Sequence, residues 1–472
     1  MAISYQSTRG DAPELDFGDV LLTGLASDGG LYCPSDVPSM PDLPADVADY
    51  AAVAAAVMAP YVEGSIDPDA FASIVADAYT GFRHPEVCPL VDLGDGHHLL
   101  DLTQGPTLAF KDFALQMVGR LMDHELERRD ERLVVVMATS GDTGSAAIEA
   151  LANRSRVGVV VLHPNERVSE VQRRQMTTVI APNVVNLAVR GTFDDCQDLV
   201  KAAFATPGIT GGPSRLGAVN SINWARVMSQ IVYYVSAARR LTAAAGRPDS
   251  PVSFTVPTGN FGNILAGWYA KRMGLAVDQL VVASNRNDVL TRYMEQGELA
   301  SATVVPSLSP SMDIQISSNF ERLLWEAGDR DGAAVADLIA TFRRDGRAPV
   351  HPDWTERIRR EFDAARVDDS ETVAEIARVY ERTGVLIDPH TAVGTYVARM
   401  LRRDPDVPMV TLATAAPAKF ADAVERGAGV RPELPPFLAE LMDRPEHYEF
   451  VDADLDAVGD HLRAVGTVIT TC

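Results

Sequence analysis

"LVVVMATSGDTGSAAIEALAN", residues 133–153, holds an unbroken apolar run, a glycine-bracketed turn and an amphipathic segment in immediate succession. An apolar run without polar alternation is what a parallel strand buried on both faces requires. Gly141 and Gly144 bracket a tight turn, and SAAIEALAN reads as the helix that follows it. Further along the chain the alternation recurs. VGVVVLHP (157–164), VVNLAV (184–189), VSFTVP (252–257), LVVAS (280–284) and VPMVTLAT (407–414) are separated by helical segments such as NILAGWYAKRM. Strand–helix alternation predicts an α/β protein with mostly parallel sheets flanked by helices. Ligands of such sheets bind beyond the carboxyl ends of the strands, so the candidate residues are sought there.

The spacing of these runs predicts three segments. Residues 1–100 read as an N-terminal module, with a helical stretch PADVADYAAVAAAVMAPYV at 44–62. Residues 101–250 read as a small α/β domain and 251–472 as a large one, interrupted by a charged helical insertion at about 318–385. The net charge of −23 opposes nucleic-acid binding and an anionic membrane surface. No run approaches the roughly 18 apolar residues of a spanning helix. The opening MAISYQSTRGDAPELDF lacks an apolar signal core, so a cytoplasmic protein is expected. Cys33, Cys88, Cys196 and Cys472 form no C-x-x-C pair and read as free thiols. His97 and His98 are adjacent and cannot face one metal from a regular element, so no metal is expected.

Four segments carry polar atoms at strand ends. In the first, Ser140, Gly141, Asp142 and Thr143 lead into a helix whose N-terminal N–H groups suit an anion. In the second, PTGNFGNILAGW (257–268), Gly259 and Gly262 allow close backbone approach beside Asn260, Phe261 and Asn263. Neither turn is a G-x-G-x-x-G nor a P-loop, which weighs against dinucleotide and nucleoside-triphosphate chemistry. In the third, NSINWARVMSQ (220–230), Asn220, Asn223 and Arg226 fall at helical offsets and suit a phosphate or carboxylate; the competing reading is a helix cap with Arg226 solvated. In the fourth, Thr414 ends the last strand and offers a neutral hydroxyl to a ring.

QGPTLAFKDFAL (104–115) places Lys111 in an apolar run. Phe113, Met117, Val118, Leu121 and Met122 share one helical face, and Pro106 stands just before it, so Lys111 is expected near a helix start. Burial and a positive helix end both disfavour the ammonium, and a neutral amine is what a Schiff base needs. The competing reading is a snorkelling lysine paired with Asp112. An imine-forming lysine, two glycine cups, an Arg/Asn cluster and a hydroxyl together fit pyridoxal phosphate.

GPTLAFKDFAL, TSGDTGSAAIEA, NSINWARVM, PTGNFGNILAGW, SPSMDIQISSNFERLLWE and LATAAPAKF, in this order, resemble the threonine synthase family in its long, bacterial and fungal form. The opening DGGLYCPSDVP (28–38) is similar as well. The resemblance implies the tryptophan-synthase-β-like fold, type II of the pyridoxal-phosphate enzymes. It implies conversion of O-phospho-L-homoserine and water to L-threonine and phosphate. A monomer or homodimer that binds this small molecule is expected. Lys111 matches the lysine that binds the cofactor, and Gly259, Asn260, Phe261, Gly262 and Asn263 match the loop around its phosphate. Ser140, Gly141, Asp142 and Thr143 match the loop for the substrate carboxylate, Asn220 and Arg226 the positions for its phosphate, and Thr414 the partner of the ring nitrogen. The chain departs from the family at Ala416, where histidine is common. The rivals are a phospholyase or serine/threonine dehydratase of the same fold and, from another class, a non-catalytic metabolite-binding protein.

Overall fold

A computed structural model describes residues 2–43, 49–165, 168–247 and 250–471. Residues 44–48 of the expected N-terminal helix and Cys472 lie outside the described residues. The helix itself runs Tyr50–Val62 and is capped by Asp49, which accepts from the Ala52 N–H. In chain order the strands are β1 (Tyr5–Ser7), β2 (Tyr32–Pro34), β3 (Leu90–Asp92), β4 (His97–Asp101), β5 (Leu133–Ala138), β6 (Val157–Pro164), β7 (Val184–Arg190), β8 (Arg215–Gly217), β9 (Val252–Pro257), β10 (Val277–Ser284), β11 (Glu298–Ala300), β12 (Arg347–Pro349), β13 (Phe362–Arg366), β14 (Met409–Ala413) and β15 (Glu449–Asp452). All six apolar runs quoted above are strands. Among the described residues no helix is long and apolar enough to cross a membrane.

The chain forms two compact units, and both interleave in sequence where contiguous segments were expected. The first comprises Met1–Val20, Leu25–Phe110 and Ser221–Pro432. Its six-stranded sheet has the order β13-β10-β9-β14-β4-β3, parallel except for the β3–β4 hairpin at one edge. The helix Trp224–Ala244 is buried without interruption from Trp224 to Ala238, as a helix inside a large core must be. Tyr234 meets Phe254 of β9 edge-on, with ring centroids 4.9 Å apart.

The second unit comprises Leu21–Gly24, Lys111–Asn220 and Glu433–Cys472. Its sheet is parallel throughout, in the order β15-β7-β6-β5-β8. Val134, Val136, Val160, Leu162 and Leu187 pack against Val458, Leu462, Val465 and Ile469 of the helix Leu455–Thr471. Gly158 permits that approach, since a Cβ there would stand 2.2 Å from Val465 Cγ1.

The region 318–385 is mostly helical, but not throughout. FDAAR, which reads as part of a helix, is the edge strand β13, in parallel register with β10 from Leu280↔Phe362 to Ser284↔Arg366. Backbone pairing and burial of Phe362 against Phe261 (5.4 Å between rings) override the helical propensity of the alanines. RAP (347–349) pairs with β11 as a short antiparallel ribbon.

Candidate active site

Lys111 opens the helix Lys111–Arg129, the helix start its flanks imply. Lys111 Nζ lies 3.2 Å from Asp142 Oδ2, a buried carboxylate that arrives from another helix. The contact fixes the amine at the start of its helix. Asp142 in turn accepts at Oδ1 from Gln172 Nε2 (2.8 Å), and Gln172 Oε1 accepts from the Ser169 hydroxyl (2.9 Å). A buried carboxylate satisfied on both oxygens is held in one orientation.

Asp142 stands at the start of the helix Asp142–Leu151, directly after β5. Thr139 Oγ1 accepts from the N–H groups of Gly141 (3.0 Å) and Gly144 (2.9 Å), which folds the turn tightly. Gly141 has φ +132°, and a Cβ there would lie 2.6 Å from Gln172 Cδ, so only glycine fits. The helix has no side-chain cap. Its first turn therefore offers N–H donors and a positive end to an anion, with Ser140 exposed beside it.

In the other unit, β9 delivers Thr258–Phe261 to the helix Gly262–Met273. Phe261 occupies the left-handed region (φ +63°), and this helix too lacks a side-chain cap. A Cβ on Gly259 would be 3.2 Å from Met312 Cα, and one on Gly262 would be 3.2 Å from Asn319 Nδ2. Asn263 Oδ1 accepts from the hydroxyls of Tyr233 (2.6 Å) and Tyr234 (2.9 Å). Burial pushes both phenols well above their ordinary range, so they stay protonated donors. With its oxygen so engaged, Asn263 Nδ2 is buried and has no hydrogen-bond partner among the described residues. An orphaned amide donor beside an uncapped helix start fits a phosphate group.

Asn223 caps the helix Trp224–Ala244, accepting from the Ala225 N–H at 3.0 Å. Arg226 is buried in its first turn rather than solvated, and desolvation pushes its guanidinium down to about 10. It remains a cation at neutral pH. Asn220 is exposed in a bend before the helix, so the offsets 0, 3 and 6 do not share a helical face. Thr414 follows β14, and its carbonyl accepts from the Phe110 N–H at 3.0 Å. Ala416 N–H donates to Leu108 O (3.1 Å), and the buried Lys419 donates to Thr107 O (3.0 Å), so the segment before Lys111 is laced to the strand end. The Thr414 hydroxyl makes no hydrogen bond among the described residues. Among them, too, no group of three or more His, Cys, Asp or Glu is placed to hold a metal.

The sequence reading missed Gln172 and the two tyrosines, and it quoted the polar segment 309–322 that walls Gly259 and Gly262 without giving it a role. The signal for the last was present: Ser, Asp, Gln and Asn crowd a stretch between two helical patterns.

Three family models match the chain: "Threonine synthase N terminus" over residues 4–79, "Pyridoxal-phosphate dependent enzyme" over 98–415 and "Threonine synthase, C-terminal" over 391–462. Threonine synthase of Pseudomonas aeruginosa is 52% identical over 459 residues, covering 96% of this chain and 97% of that one. The crystal structure of pyridoxal-phosphate-bound threonine synthase from Brucella melitensis superposes with a TM-score of 0.93 at 48% identity, covering 98% of this chain and 99% of that one. The yeast threonine synthase structure gives 0.91 at 37% identity, with 98% and 99% covered.

Proposed function

The chain belongs to the threonine synthase family, and from that premise we propose how its residues divide the conversion of O-phospho-L-homoserine and water to L-threonine and phosphate. It is a pyridoxal-phosphate enzyme of fold type II. The cofactor, when bound, supplies an aldehyde carbon for amines and a ring that accepts electrons from the substrate Cα. Lys111 Nζ is the amine that holds it and, once freed, the base that moves protons at Cα and Cβ. Asp142 fixes Lys111, and Gln172 fixes Asp142, so the amine stays at one point through the proton transfers. Gly259–Asn263 hold the cofactor phosphate on backbone N–H groups and Asn263 Nδ2. Thr414 meets the ring nitrogen with a neutral hydroxyl, which does not force a positive charge onto the ring as a carboxylate would. The turn Ser140–Thr143 receives the substrate carboxylate. Arg226, with Asn220, receives the substrate phosphate and steadies it as it leaves from Cγ. Lys111 returns one proton to Cγ, which becomes the methyl group, and one to Cα; water adds its hydroxyl at Cβ and its proton goes to the released phosphate.

The observation that carries the cofactor assignment is the buried, unsatisfied Asn263 amide at an uncapped helix start. Ala416 is a buried methyl in the family's histidine position, so no imidazole acts there. A cytoplasmic monomer or homodimer completes the reading. The support for the compartment alone is that Cys33, Cys88 and Cys196 are buried free thiols, each pushed up to about 12 by burial. The test is product analysis on O-phosphohomoserine with the visible spectrum recorded alongside. Equimolar threonine and phosphate from a yellow protein are expected. 2-Oxobutyrate in place of threonine, or a colourless protein that takes up no cofactor, overturns the reading.

A further inference from the structure

The segment Ser309–Arg322 has no part in the division of labour above, yet it touches the phosphate loop at several points. Ser317 Oγ donates to Gly259 O (2.8 Å) and Asn319 N–H to Asn260 O (3.2 Å). The Asn319 side chain closes over Gly262 and donates from Nδ2 to Ser221 O at 2.9 Å. Its Oδ1 accepts from Arg322 Nη1.

Arg322 and Asn319 are both 0% exposed. The guanidinium donates from Nε and Nη2 to Tyr32 O (3.0 and 2.9 Å) and from Nη2 to Ile222 O (2.6 Å). Its carbon lies 5.9 Å from the centre of the Trp224 ring. Among the described residues no carboxylate pairs with it. It stands in the first turn of the helix Phe320–Ala327, whose positive end adds to its charge. A buried cation satisfied only by carbonyls and an amide is expensive, in a chain carrying 23 excess negative charges that could have supplied a partner. Hydrogen bonding explains the fork, but the missing counter-ion calls for an anion from outside the chain. The loop that Arg322 reaches through one amide is the loop assigned to a phosphate.

We propose that Arg322, acting through Asn319, is a positioning residue for the cofactor phosphate, and that its buried charge is balanced by that phosphate. The inference rests on the assignment of Gly259–Asn263 as the phosphate loop. The guanidinium ties Tyr32, Ile222 and Asn319 into one frame, and Asn319 sets the height of Gly262. The charge makes the frame favour an occupied loop over an empty one.

The experiment uses holoprotein with Arg322→Met, Arg322→Lys and Asn319→Asp, and reads the rate of cofactor release and the ³¹P resonance of the bound phosphate. Arg322→Met is expected to release cofactor faster by on the order of ten- to hundredfold, the loss of a charge-assisted contact. Arg322→Lys keeps the charge and is expected to recover part of that loss. Asn319→Asp places a carboxylate beside the guanidinium; release is expected to quicken while the melting temperature of the cofactor-free protein holds or rises. A purely structural role would instead lower that melting temperature and leave the resonance in place. Folded Arg322→Met and Asn319→Asp proteins with wild-type release and resonance overturn the proposal. If Arg322→Met does not fold, Asn319→Asp decides alone. Gly262→Ala separates the two levels: wild-type release in that variant removes the loop assignment itself, whereas fast release there with unchanged Arg322 and Asn319 variants removes only this inference.

Discussion

Gly141→Ala perturbs a backbone position that lies against Gln172 of the Lys111–Asp142–Gln172 chain. The new methyl would sit 2.6 Å from Gln172 Cδ, 2.8 Å from its Oε1 and 2.9 Å from its Cβ, at φ +132°. Holding a non-glycine residue in such a region costs about 1–3 kcal/mol. Moving Gln172 aside breaks its 2.8 Å bond to Asp142, a hydrogen bond to a charged acceptor worth about 1.5–3 kcal/mol. The sum is roughly 3–6 kcal/mol, against about 2 kcal/mol for Gln172→Ala, which loses only the bond. In the double variant two of the three clashes vanish and the bond is lost once. Its cost is therefore less than the sum of the single costs, with a coupling of about 1–2 kcal/mol. Urea unfolding of the cofactor-saturated proteins measures the four corners, and KM and kcat for O-phosphohomoserine report the site. We expect Gly141→Ala to lower kcat more than it weakens cofactor retention, because Lys111 loses its fixed partner. Strict additivity, or a Gly141→Ala protein of wild-type stability and kcat, refutes the reasoning.

Lys111→Ala is expected to abolish covalent cofactor attachment and turnover together; a borohydride-stable adduct on the variant would show that another amine serves. Tyr233→Phe removes one of the two donors that fix Asn263, and cofactor affinity is expected to fall by on the order of tenfold by equilibrium titration. Stability should decline in acid through His97, whose imidazole burial pushes down to about 4 and whose Nε2 lies 2.8 Å from the Thr411 hydroxyl. An unfolded histidine protonates first, so its contribution is full above about 6.5 and is lost as pH falls toward 4, roughly 3 kcal/mol in all. His97→Gln should flatten that limb in denaturant titrations at pH 7, 6, 5 and 4. Because Arg226 must be charged to hold a phosphate, kcat/KM for the substrate should drop as pH rises through about 10, and a pH profile with Arg226→Lys should move that limb.

Much of the architecture is legible in local pattern, because buried parallel strands are apolar on both faces and leave nothing ambiguous. VGVVVLHP and VSFTVP are strands to the residue. Short strands at edges, such as β15 and β8, carry no such run and depend on a neighbour to form. FDAAR reads as helix because alanine favours helix and its pairing partner lies some eighty residues back. The glycine turns are visible since no other residue fits them. Side-chain partners at long separation are not. Asp142, which meets Lys111, arrives from thirty-one positions away. Arg322 looks like an ordinary charged residue of an amphipathic helix until its surroundings are known.

The interleaving of the two units has a consequence for biosynthesis. The sheet behind Lys111 is finished by β15 and the helix Leu455–Thr471, which the ribosome makes only after Ser221–Pro432. At roughly 5–20 residues per second, about 13–52 s separate the emergence of β7 from that of its partner strand. For that interval the row of β7 backbone groups that later pairs with β15 is open, an adhesive surface for another nascent chain. The other unit can collapse meanwhile, since its last strand, β14, precedes residue 433. Slow translation of Ser221–Pro432 would therefore lengthen the vulnerable period, and a holdase occupying β7 would shorten it.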